Sequence, residues 1–185
     1  VAAIETDDID NLSTSQIVAM GTDVAALTTA QIDALTTAQF VAMSVTQLGA
    51  LTVDQIKVVD TTSLAGLSTT QVGALTTAQI AALTNTQVGS LTATQAPGLS
   101  TAQVAAFTTA QIGSLSTGVV AALSTTQLTA IETRDLVQMT TAQIAAITAT
   151  QLDDLLTSQL SALTTTQVAA ITTADLVLLT DAQVQ

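Results

Sequence analysis

Residues Leu75–Ser90 read LTTAQIAALTNTQVGS, one eight-residue phrase given twice. The phrase places an aliphatic at position 1, hydroxyl residues at positions 2 and 3, glutamine at position 5 and a second aliphatic at position 6. Lead aliphatics recur every eight residues from Ile4 to Leu179, except for one seven-residue step between Met20 and Leu27, which gives 23 phrases with the last truncated. Position 2 is Ser, Thr or Asp in 19 of the 23, the departures being Glu5, Gly21, Glu132 and Leu156. Position 5 is Gln in 17 and Asp at Asp8, Asp23, Asp135 and Asp175, leaving only Ser63 and Val119. So strict a period defines the whole chain, 1–185, as one repeat array of about 23 octapeptide units.

The period excludes two simple backbones. In a continuous helix, eight residues at ~100° each turn the apolar stripe by ~80° per phrase, so no fixed seam survives two phrases. In a flat strand, positions 1 and 6 differ in parity and their aliphatics point to opposite faces. Short helices satisfy both constraints. With Thr28 as N-cap, Gln31 is the third helical residue, and the pair can form a capping box: the hydroxyl meets the Gln31 amide while the glutamine side chain reaches back to the Thr28 amide. Leu27 and Ile32 then flank the cap as a hydrophobic staple.

The same reading assigns caps to Thr36 and Gln39, Thr76 and Gln79, Thr84 and Gln87, Thr108 and Gln111, Thr140 and Gln143, and Thr164 and Gln167. Its core is Leu27, Ile32, Leu35, Leu75, Ile80, Leu83, Val88, Phe107, Ile112, Ile144, Ile147, Leu163 and Val168.

A helix of about six residues falls well short of the ~12–15 needed for stability in isolation. A cap contributes ~1 kcal/mol, whereas ordering backbone costs ~1–2 kcal/mol per residue. Stacking of phrases on one another must supply the difference. The expected fold is therefore all-α: a superhelical solenoid of very short capped helices, one per octad. The alternative is a β-solenoid with a bend between positions 1 and 6, which Thr, Val and Ile favour and the recurring Ala and Gln do not. A capping-box role accounts for each glutamine by itself. A ladder of amides, each bonding its counterpart in the next turn, is a further expectation, because stacked carboxylates would repel where amides can bond.

Composition narrows the function. The chain has no His, Cys, Trp or Tyr, which removes disulfides, thiolate chemistry and imidazole catalysis. Hydroxyls are abundant but have no matching base, so nucleophilic catalysis has no support and no enzyme activity is expected. Adjacent acids at Asp7/Asp8 and Asp153/Asp154 have no metal-loop pattern around them and read as surface acids. No metal site and no cofactor is expected. A net charge of −12, with Lys57 and Arg134 the only cations, argues against nucleic acid. Mean hydropathy is positive, yet a Thr/Gln cluster interrupts every phrase, so no membrane span is expected. The chain starts and stops in mid-phrase without a signal peptide, and reads as an excerpt of a longer array.

Several phrases depart from the pattern. The seven-residue MGTDVAA is expected to pinch or kink the array, and LTATQAPG, with Pro97 and Gly98, to break it locally. Arg134 between Glu132 and Asp135 reads as a solvated ion pair of little worth.

The most informative functional feature is an absence of charge. From Thr61 to Ile131, 71 residues carry none, so the exposed surface there offers only Thr, Ser, Gln, Asn, Gly and aliphatics. Soluble monomers ordinarily keep a mixed charged surface against association. Self-association is therefore expected, as a homo-oligomer or filament, with a cell surface or solid surface as a further partner. The phrase, as in Leu75–Ala82 and Ile147–Gln151, resembles the octapeptide (LTTAQIAA-type) tracts of very large secreted bacterial surface proteins and adhesins. That resemblance implies an extracellular or cell-surface structural role: a fibre, stalk or sheath element without catalytic residues. The alternative function is a Thr-rich solenoid that binds ice or another surface, although adjacent Thr at a helix start match a flat Thr-x-Thr array poorly.

Overall fold

In the computed structural model, which describes residues 4–177, 179, 180 and 183, the octads form nineteen α-helical segments of four to six residues and three 3-10 segments. No strand occurs among the described residues, which favours the helical solenoid over the β alternative. Each octad follows one plan. In Leu75–Ala82, Thr76 is the N-cap in extended backbone (φ −72, ψ 157), the helix runs Thr77–Ala82, and the next lead, Leu83, is extended again (φ −56, ψ 140). Two consecutive extended residues, lead and N-cap, thus form the corner; the junction at Met20–Gly21, where Met20 is helical (φ −65, ψ −19), departs from this plan. Such a corner needs no left-handed residue, and Gly21 (φ 54) is the one described position with positive φ.

The corner explains which side chains face inward. Leu75, Gln79 and Ile80 are buried, while Thr76, Thr77, Ala78 and Ala81 are exposed and Ala82 lies between. Position 1 enters the core just before the helix, and positions 5 and 6 enter it from the end of the first helical turn. The aliphatics merge into one continuous core from Ile9 to Ile171.

Successive turns of the coil are staggered. Side-chain bonds between turns join residues 26 to 31 apart, which is between three and four octads. Helices three octads apart pack together, as Thr37–Val41 does on Thr61–Ala65 and Val53–Lys57 on Thr77–Ala82. Each helix therefore starts over the corner between two helices of the preceding turn.

The seven-residue phrase does not kink the array as expected. Gly21–Ala26 forms a 3-10 helix, whose longer rise per residue lets fewer residues cover the distance. The bonds from the next turn resume at Val24 and Leu27 with their usual spacing. The phrase with Pro97 also shrinks to a 3-10 segment, Ala96–Gly98. Gly98 is required there: a Cβ would sit 2.2 Å from the Thr69 carbonyl oxygen of the preceding turn.

Candidate functional site

The recurring polar constellation is the Ser/Thr–Gln pair at each helix start. In the pair Thr76–Gln79, the Gln79 N–H donates to Thr76 Oγ1 at 3.1 Å and the Thr76 N–H donates to Gln79 Oε1 at 2.7 Å. Two of the four backbone donors that a helix N-terminus leaves open are thereby closed. The same reciprocal box forms at Thr28–Gln31, Thr36–Gln39, Thr84–Gln87, Thr108–Gln111, Thr140–Gln143 and Thr164–Gln167.

The other half of the amide does something the octad alone does not reveal. Gln79 Nε2 donates to the carbonyls of Leu48 and Leu51 at 2.8 and 2.7 Å, 31 and 28 residues back. Gln87 repeats this on Ile56 and Val59, Gln103 on Val72 and Leu75, Gln111 on Ile80 and Leu83, and Gln143 on Ile112 and Leu115. The acceptors are the position-6 residue, in the last turn of its helix, and the next lead. Carbonyls at a helix C-terminus lack intrahelical partners, so these glutamines each close the N-terminus of their own helix and the C-terminus of one in the turn before. Among the described residues no glutamine bonds another glutamine, so the expected amide ladder is replaced by this bracket to backbone. A carboxylate could not make it, having no proton to give to two carbonyls.

The exceptions show the rule. Ser63 is too short to reach the carbonyls and instead donates to Thr37 Oγ1 at 3.2 Å, while Asp60 replaces the usual hydroxyl cap and accepts from the Thr62 and Ser63 amides. Val119 offers no donor, although Ser116 still caps its amide. Leu156 has no cap oxygen, and only the Gln159 half of the box exists there. Asp135 differs from its expected role. It is buried, at 2% exposure, and accepts from Thr109 Oγ1 at 2.5 Å; Arg134 pairs with exposed Glu132 at 2.8 Å and also reaches Asp135 at 3.7 Å. The reason is position: Asp135 occupies a glutamine slot, which points inward whatever fills it.

Of the expected core, Leu27, Ile32, Leu35, Leu75, Ile80, Leu83, Val88, Phe107, Ile112, Ile144 and Ile147 are buried. Leu163 is half-buried and Val168 is exposed at 40%, contrary to expectation. Position 6 is covered by the following turn, and no described octad stacks on Val168. Asp7, Asp8, Asp153 and Asp154 lie exposed, and no group of three potential metal-ligating side chains occurs among the described residues.

This geometry defines a class: a helical solenoid of octapeptide units whose polar residues are spent on capping and inter-turn bonding. Its family follows from the sequence. A model described as the ALTTAQ repeat matches residues 1–37, 24–61, 54–85, 97–125 and 128–165, and the chain belongs to that repeat family. No curated protein sequence matches it. Among the described residues no helix is long and apolar enough to cross a membrane.

Proposed function

We propose that the array is a structural, non-enzymatic element of an extracellular or cell-surface fibre, stalk or sheath, and that it works by associating laterally with copies of itself. The observation that carries this reading is where the polar groups go. The glutamines of the charge-free span are buried or half-buried in the coil, so its outer surface is left mostly with Thr, Ser, Ala and Gly, besides Asn85 and Pro97, and no charge to oppose contact. The buried core and the brackets make a rod, and the rod's sides are weakly polar along much of their length. The Thr pairs support this reading better than ice binding, since one oxygen of a pair is engaged as a helix cap, as at Thr28 and Thr76.

Light scattering and negative-stain microscopy over a concentration series test the proposal. The expected result is filaments or bundles of uniform width. The triple variant Thr77→Lys, Ala102→Lys and Thr126→Lys, all at exposed sites, is expected to keep the helical circular dichroism spectrum and lose the bundles. A chain that stays monomeric at every concentration overturns the proposal.

A further inference from the structure

The inter-turn brackets are not continuous, and their gaps are unevenly placed. From Gln31 to Gln167 the position-5 residue donates to carbonyls of the preceding turn everywhere except Ser63, Val119 and Asp135. Ser63 is an isolated gap with full brackets at Gln55 and Gln71 beside it. Val119 and Asp135 are separated by a single octad and so fall within one turn. Only Gln127 between them still donates, to Ala96 and Leu99.

The acceptors on the other side of this joint are correspondingly short of partners. By the spacing of every neighbouring bracket, Val119 faces the Val88 and Leu91 carbonyls and Asp135 those of Val104 and Phe107. The Leu91 and Phe107 carbonyls accept no hydrogen bond among the described residues, although both residues are buried. A buried acceptor without a donor is costly; Asp135 keeps one link across the joint, accepting from Thr109 Oγ1 at 2.5 Å, but as a carboxylate it gives the carbonyls nothing. The same turn contains an octad whose helix is cut to three residues around Pro97. Missing donors, open acceptors and a shortened helix thus coincide at one joint.

We infer that the joint between the Val88–Phe107 turn and the Leu115–Asp135 turn is a built-in yield point, where the coil parts before it does elsewhere and divides into two blocks. Apolar contact across the joint remains, since Val119 and Val120 are fully buried. What is weakened is the polar bracket that fixes the spacing of the turns. Local opening draws on regions with the fewest such constraints.

Hydrogen exchange on the intact chain tests this. Amides of 88–107 and 115–136 are expected to exchange at least about tenfold faster than those of 69–82 and 141–152, the scale of one or two net hydrogen bonds. The double variant Val119→Gln/Asp135→Gln, which installs the residue found at the equivalent sites, is expected to remove that difference. Ser63→Gln is expected to leave it in place. Uniform exchange along the wild-type chain overturns the inference, as does a fast joint unchanged by the double variant.

Discussion

At the scale of one residue, the array depends on a side chain with an acceptor and a donor on the same short stem. Gln79 is 1% exposed, with its oxygen on the Thr76 amide and its nitrogen on two carbonyls of the preceding turn. Gln79→Glu retains the oxygen and removes the donor. It sets a negative charge against two carbonyl oxygens in a buried site, where loss of one partner of a hydrogen-bonded group costs ~1–3 kcal/mol and more when charge is involved. A loss of about 3 kcal/mol at neutral pH is expected in urea denaturation. Burial raises the pKa of the introduced carboxyl above its unfolded value. Its protonated form can donate one bond, so the penalty is expected to shrink as the pH falls toward 4. A penalty independent of pH would show that the amide acts by shape alone. The wild-type chain contains the natural counterpart in Asp135, which is shorter, turns to Thr109 and leaves the carbonyls aside.

At the scale of the element, most helices are single capped turns, and the cap was legible in the sequence because all of its atoms lie within three residues. Spacing alone placed Thr28, Gln31, Leu27 and Ile32 correctly, and it distinguished the helical coil from the β coil. Asp60, the cap of Thr61–Ala65, adds a pH dependence. Partial burial raises its pKa, but the hydrogen bonds from Ser63 and Thr62 outweigh that and hold the carboxyl below the ordinary aspartate value of 3.8. Its contribution is therefore present above the unfolded value and lost as the pH falls through the lower folded one. Asp60→Thr is expected to flatten this part of the acid limb, with urea midpoints of the two proteins converging below about pH 4. The difference is expected to be small because Asp60 is exposed. Midpoints that stay equally far apart from pH 5 to pH 2 would exclude a charged cap.

At the scale of the whole molecule, the decisive bonds were not legible. An amide that satisfies its own cap gives no sign of where its second hydrogen-bonding group points; that depends on how many octads complete a turn. The turn length in turn follows from the two extended residues at each corner, whose angles no octad states. The same gap in reading misplaced Asp135, because a slot that faces the preceding turn looks like any surface position until the coil closes. It also misplaced Val168, whose burial depends on a later octad rather than on its own phrase. This non-local closure yields a sharp expectation about size. The bracket acceptors lie 27 to 31 residues before their glutamines, so a peptide of three octads contains its caps and no bracket. Caps of ~1 kcal/mol each cannot order a helix of one turn. Such a peptide, cut from Leu75–Gly98, is expected to give a disordered circular dichroism spectrum. A fragment of eight octads, Leu35–Gly98, contains complete brackets from Gln71, Gln79, Gln87 and Gln95 and is expected to show the paired helical minima and a cooperative melt. If helicity instead rises in proportion to the number of octads from the shortest peptide upward, the caps suffice by themselves and the coil is not what holds the helices.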